Sequence, residues 1–134
     1  MTTSADDLVE RARHRIRRVG PHELVGLWAA GGLVIDIRPA AQRREEGELP
    51  GAIVMERNVL EWRLDPGGSH KIGVVRDLDQ PVVVVCSEGY ASSLAAASLV
   101  DLGYRRAADL VGGYQAWRSW FAPRAIAEPE GALS

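Results

Sequence analysis

Pro81-Val82-Val83-Val84-Val85-Cys86-Ser87-Glu88-Gly89-Tyr90-Ala91-Ser92-Ser93-Leu94 sets the architecture of this 134-residue chain. Four valines behind a proline form a short, wholly apolar, β-branched run. Such a run reads as a strand buried on both faces, as in a parallel sheet. It ends at the only cysteine of the chain. A loop with one glycine follows, then Ala, Ser and Leu residues of helical character. The thiol is thereby placed at the carboxyl end of a central strand, in a loop that opens onto a helix N-terminus. In open α/β sheets that is where ligands bind.

This position suits an anion. The first turn of a helix leaves backbone N–H groups without partners, and its dipole adds partial positive charge. A tight loop before it can aim further N–H groups inward. A thiolate, a persulfide or a bound oxyanion is stabilised there, and such surroundings can lower a cysteine from about 8.5 to roughly 3.5–7.5. A lone cysteine is more commonly a small buried packing residue. The order strand, Cys, glycine loop, helix favours the reactive role instead.

Working outward, the rest of the chain repeats short strands between helices. Leu33-Val34-Ile35-Asp36-Ile37 is a second buried strand, ending in Asp36, Arg38 and Pro39. Pro21 starts a helix that Gly31-Gly32 stops. Ala40–Glu46 reads as a short polar helix. Ala52–Met55 is a strand leading to Arg57, followed by a helical turn with Leu60, Trp62 and Leu64. Ile72–Leu78 is ambiguous. Ser92–Leu102 is a helix, Arg106–Leu110 a last strand, and Gly112 to about Phe121 a last helix. The pattern predicts an α/β fold, a mostly parallel five-stranded sheet with helices on both faces. Residues 1–15 are a loose or helical lead-in, 16–121 the domain, and 122–134 a flexible tail rich in Pro and Gly.

Hydrophobic residues make up 46% of the chain and charged residues 25%, as in globular proteins that do not enter membranes. Thr2–Asp7 has no signal-peptide core, and a single cysteine allows no internal disulfide, which points to the cytoplasm. A two-thiol redox cycle within one chain is also excluded, so any resolving thiol comes from elsewhere. The net charge of −2 offers nothing general to nucleic acid. Arg11, Arg13, Arg15, Arg17 and Arg18 form a basic run, which reads as a solvated helix face rather than a partner patch. His14, His22 and His70 lack metal-ligand spacing, and no metal is predicted.

Four stretches together resemble one family, the rhodanese-like single-domain sulfurtransferases. Val34–Pro39 resembles its strand ending in D-x-R. Gly47-Glu48-Leu49-Pro50-Gly51-Ala52 is similar to its G-H-I-P-G-A turn, with Glu48 in place of His. Cys86-Ser87-Glu88-Gly89-Tyr90-Ala91-Ser92 stands against C-x-x-G-x-R-S. Asp109–Trp117 looks like the closing L-x-G-G-[WYF]-x-x-W. The resemblance covers roughly residues 21–121. It implies that Cys86 takes sulfur from a donor such as thiosulfate or a persulfide, holds it as a persulfide, and passes it to a thiol, a protein thiol or cyanide. It implies no cofactor. The substrate loop is then Ser87, Glu88, Gly89, Tyr90, Ala91 and Ser92, whose amides surround the sulfur. Phosphatases that share this fold have a loop one residue longer.

The departure lies in that loop. The family's arginine is Ala91 here, and Glu88 adds a negative charge that opposes an anionic donor. Arg57, expected on the same rim as Cys86, reads equally as a replacement cation or a surface arginine. Asp36 and Arg38 are on that rim too and read as a pair that braces loops. Trp62 reads as core under its loop, and Tyr90 as a residue at the mouth. Two rival functions share these residues: a cysteine phosphatase or arsenate reductase, and a non-catalytic or redox-sensing module.

Overall fold

The computed structural model describes residues 3–127 of the chain. Its elements run α1 (Ala5–Arg13), β1 (Arg17–Val19), α2 (Pro21–Ala29), β2 (Leu33–Asp36), α3 (Ala40–Glu46), β3 (Ile53–Val54), a 3-10 turn (Arg57–Val59), α4 (Leu60–Leu64), β4 (Val82–Val85), α5 (Ala91–Leu102), β5 (Ala107–Leu110) and α6 (Gly113–Ala127). The five strands form one sheet in the order β1-β5-β4-β2-β3, and every pairing is parallel. The expected sheet is therefore present, without an antiparallel strand.

The valine run explains the layering. A strand alternates its side chains between two faces. Val82 and Val84 point into a core with Ile35, Leu60, Leu64, Ala95, Ala96 and Leu99, beneath α4 and α5. Val83 and Val85 point into the opposite core with Leu24, Leu110, Tyr114 and Trp117, beneath α2 and α6. All four valines are fully buried, and β4 is the central strand. The alanines of α5 let that helix lie close to the sheet. β2 pairs with β4 in the register Ile35↔Val84 and Asp36↔Val85. The end of β2 is thus level with the residue before Cys86.

Two expectations are corrected. Trp62 is not core; it is 62% exposed. On the five-residue α4, Leu60 and Leu64 lie one turn apart and take both buried positions, so the residue between them faces out. The last helix does not stop near Phe121, and residues 122–127 of the expected tail are helical. Pro123 lies inside it and removes one ladder hydrogen bond. One contact spans that position, the Arg124 guanidinium 4.2 Å from the centre of a Trp120 ring, and Trp117 stacks on Phe121 at 5.3 Å in the turn before it. Residues 128–134 lie outside the described residues. The ambiguous 72–78 segment forms no regular element, though Val75 is buried and Ile72 and Leu78 pack on the core. Among the described residues, no helix is long and apolar enough to cross a membrane.

Candidate active site

Cys86 follows directly on Val85 at the carboxyl end of the central strand. Its Sγ accepts the backbone N–H of Gly89 at 3.1 Å and that of Ser92 at 3.3 Å. Ser92 is the second residue of α5, so its amide belongs to the first turn and has no partner within the helix. The sulfur satisfies it, on the axis where the helix dipole favours negative charge.

Two carbonyls of the loop are held from behind by the next helix. The Cys86 carbonyl accepts the Tyr114 amide at 2.8 Å, and the Ser87 carbonyl accepts the Gln115 amide at 3.1 Å. Both donors are first-turn groups of α6. This approach requires glycine. A Cβ on Gly113 would lie 2.5 Å from the Cys86 oxygen and 2.6 Å from the Ser87 carbonyl carbon. A Cβ on Gly89, which has φ +88°, would lie 2.9 Å from the Gly112 nitrogen and 3.1 Å from the Leu110 carbonyl oxygen. The Gly89 carbonyl accepts Arg13 Nη2 at 2.8 Å and Arg18 Nη2 at 3.1 Å. The basic run is therefore not a uniformly solvated face. Arg15 and Arg17 form surface ion pairs with Asp101 and Glu23, while Arg13 and Arg18 reach the cysteine loop. The difference is one of geometry. Arg18 sits opposite Asp109 in the β1–β5 register, and Arg13 ends α1 where it packs on α5.

Asp109 is fully buried and collects Arg18 Nε at 2.9 Å, the Ser92 hydroxyl at 2.8 Å and the Ser93 hydroxyl at 2.7 Å. Ser87, on the other side of the loop, donates its hydroxyl to Glu46 Oε2 at 2.7 Å and accepts Gln115 Nε2 at 3.3 Å. Glu46 in turn accepts Arg38 Nη1 at 3.2 Å. Arg38 holds Asp36 through Nη2 at 2.8 Å and Nε at 3.1 Å. Burial opposes the charge of Arg38, but Asp36 and Glu46 outweigh it and keep its pKa above the ordinary arginine value. Asp36 and Arg38 pair with each other, and Arg38 reaches the Ser87 hydroxyl by way of Glu46. Neither lines the hollow at the sulfur.

That hollow holds about 220 Å³ and is lined by Gln42, Cys86, Ser87, Glu88, Tyr90 and Ala91. Cys86 is 8% exposed and Tyr90 54%. Glu88 and Ala91 are also exposed, so solvent screens the Glu88 charge. Arg57 stands apart. It lines a separate cleft of about 650 Å³ with Ile37, Arg38, Arg43, Met55 and Asn58, and its Nη1 is engaged by Glu61 at 3.0 Å. The structure thus brings Cys86 through Ser92 together, puts Asp36 and Arg38 behind them, and leaves Arg57 to one side.

Sequence reasoning missed Gln42, Glu46, Gln115, Arg13, Arg18 and Asp109. Only Asp109 carried a readable signal, a charge inside an otherwise apolar four-residue strand, which demands a partner.

The family model for the rhodanese-like domain matches residues 21–119. The chain belongs to the rhodanese-like family. This rhodanese-like domain is 32% identical over 105 residues to the thiosulfate sulfurtransferase GlpE of Pseudomonas entomophila, covering 78% of the chain and 87% of that protein. It is also 32% identical over 115 residues to GlpE of Pseudomonas fluorescens Pf-5, covering 85% and 96%. Among solved structures, it is similar to a Rhodopseudomonas palustris protein of unknown function described as a possible tyrosine phosphatase. That match has a TM-score of 0.80 at 26% identity over 90% of this chain and 93% of the other. A human single-domain sulfurtransferase matches with a TM-score of 0.64 at 25% identity over 76% and 95%.

Proposed function

We propose that this rhodanese-type sulfurtransferase carries sulfane sulfur as a persulfide on Cys86. The Cys86 thiolate attacks the outer sulfur of a donor such as thiosulfate. The donor's S–S bond breaks, sulfite leaves with the electron pair, and Cys86 holds the transferred sulfur as an anionic persulfide. An acceptor thiolate or cyanide then attacks that outer sulfur. The Cys86 S–S bond breaks, the acceptor leaves as a persulfide or thiocyanate, and the Cys86 thiolate returns. Each half-reaction moves one sulfur and one electron pair, so no external oxidant or cofactor enters. The observation that carries this reading is the pair of amides, Gly89 and Ser92, donating to Sγ. Hydrogen bonds to the charged sulfur favour its formation and its return.

The small hollow suits a compact donor, and its openness to solvent at Tyr90 suits a protein thiol as acceptor. Arg57 is proposed to receive the anionic end of the donor from its own cleft, exchanging Glu61 for it. The lone cysteine suits a reducing cytoplasm, where small thiols serve as acceptors. Mass spectrometry after incubation with thiosulfate and with organic persulfides is the test. One added sulfur on the wild-type chain and none on Cys86→Ser is the expected result; no added sulfur from any donor sinks the reading.

Phosphate-ester hydrolysis is the second reading, favoured by the description of the Rhodopseudomonas palustris neighbour. Against it, a phosphate bound in this loop would need a bidentate cation, and Ala91 supplies none. Turnover of an activated aryl phosphate that depends on Cys86 would reinstate it.

A further inference from the structure

We infer that Arg13 is a positioning residue that stands in for the arginine this chain lacks in its cysteine loop. The inference rests on the reading of Cys86 as the reacting thiol. The loop position that would carry a cation holds Ala91, and the loop adds Glu88. Two guanidiniums nevertheless converge on the loop from behind. Arg13 Nη2 and Arg18 Nη2 both donate to the Gly89 carbonyl, at 2.8 and 3.1 Å. The N–H of that same Gly89 donates to the sulfur at 3.1 Å. Holding that carbonyl fixes the peptide plane between Gly89 and Tyr90, and with it the Gly89 backbone from which the N–H reaches Sγ.

The two arginines differ in charge balance. Arg18 is neutralised by Asp109, which is fully buried, at 2.9 Å. Among the described residues Arg13 has no carboxylate partner; its contacts are the Gly89 carbonyl and the Ser93 hydroxyl at 3.1 Å. Its guanidinium carbon also lies 5.2 Å from the centre of the Tyr90 ring, and Tyr90 lines the hollow at the sulfur. Arg13 is therefore the arginine whose positive charge is not cancelled, one aromatic ring from the mouth. Arg18 with Asp109 is the fixed frame: Asp109 also accepts the hydroxyl of Ser92, whose amide is the second donor to Sγ. Each amide on the sulfur is thus anchored to one end of the Arg13–Arg18–Asp109 group. A cation delivered from α1 acts on negative charge at the sulfur without occupying the loop, which leaves the hollow free where Ala91 is small.

The test is alkylation of Cys86 at one fixed pH by neutral iodoacetamide and by anionic iodoacetate. The ratio of the two rates reads local charge, whereas loosening of the fold moves both rates together. In Arg13→Met we expect iodoacetamide to slow about two- to fivefold and iodoacetate to slow more, so that the ratio falls. Arg13→Lys keeps the charge and restores the ratio. Arg11→Met removes the same charge from an exposed neighbour and leaves it unchanged. Ala91→Arg in the Arg13→Met background returns the ratio toward wild type. If Arg13→Met does not fold, Arg13→Gln gives the same reading. An unmoved ratio in the Arg13 variants, an equal fall in Arg11→Met, or no restoration by Ala91→Arg overturns the inference. Persulfide formation is measured separately. A wild-type chain that takes up no sulfur removes the function while the ratios still decide Arg13; uptake with unmoved ratios removes only the role of Arg13.

Discussion

The guanidinium of Arg38 lies 3.9 Å from the centre of the Tyr114 ring. One contact joins the end of β2 to the first turn of α6, the turn whose amides hold the Cys86 loop. Arg38 is 2% exposed, and its other partners are the buried Asp36 and the half-buried Glu46.

Removing that guanidinium strands a buried carboxylate. Arg38→Ala should lose about 3–5 kcal/mol, because Asp36 keeps its charge without its partner. The double variant Asp36→Asn, Arg38→Met should recover much of this, since neither charge remains. Urea unfolding of the three chains measures it. Equal losses in the single and double variants would show that the ion pair is not the source.

Gly113 predicts a different failure. With φ +62° and the Cys86 carbonyl in the space a Cβ would fill, Gly113→Ala must push the loop away from α6. We expect a stability loss of roughly 1–3 kcal/mol and, with it, a fall in Cys86 alkylation rate at native conditions. Ala116→Gly, on the same helix and half-buried, should leave the alkylation rate unchanged. Normal reactivity in Gly113→Ala would mean that the α6 amides do not orient the loop.

Arg57 can be separated from the loop by kinetics. Its pair with Glu61 is partly exposed and contributes under about 1 kcal/mol. Arg57→Ala should therefore melt like wild type and raise KM for thiosulfate while leaving alkylation by iodoacetamide unchanged. Glu61→Gln frees the guanidinium and should lower that KM. An unaltered KM in both variants removes Arg57 from donor binding.

Tyr104 sets the alkaline limit. Burial above all, with Asp65 and Asp77 adding, pushes its phenol up to about 12. The neutral form is favoured in the folded chain, where it donates to the Leu64 carbonyl at 2.5 Å. Its contribution is fully present below about pH 10, the unfolded value, and is lost as pH rises toward about 12; the loss approaches roughly 3 kcal/mol. Tyr104→Phe should cost about 1 kcal/mol near neutrality and flatten the decline between pH 10 and 12. Denaturation midpoints of both chains at pH 8 and 11.5 decide it; parallel declines would assign the alkaline loss to other groups.

What could be read from the residues alone follows from range. The valine run, the cysteine after it and the helix behind the glycine are neighbours in the chain, and local rules order them. The same holds for the pairing of Asp36 with Arg38, two positions apart on a strand end. The braces are another matter. Arg13 and Gly89 are 76 positions apart, and Glu46 and Ser87 are 41. Nothing in a single sequence brings such residues together except the sheet order, in which β1 lies beside β5. Trp62 and the helix through Pro123 failed for a local reason: composition favoured burial and a stop, while the i, i+4 geometry of each helix went the other way.

Because the carbonyls of Cys86 and Ser87 are held by the amides of Tyr114 and Gln115, the thiol acquires its setting only after α6 has docked. On the ribosome, a nascent chain that has emerged as far as β5 already displays the sulfur but not the helix that orients it. The orientation of the thiol is thereby deferred until α6 has emerged and docked.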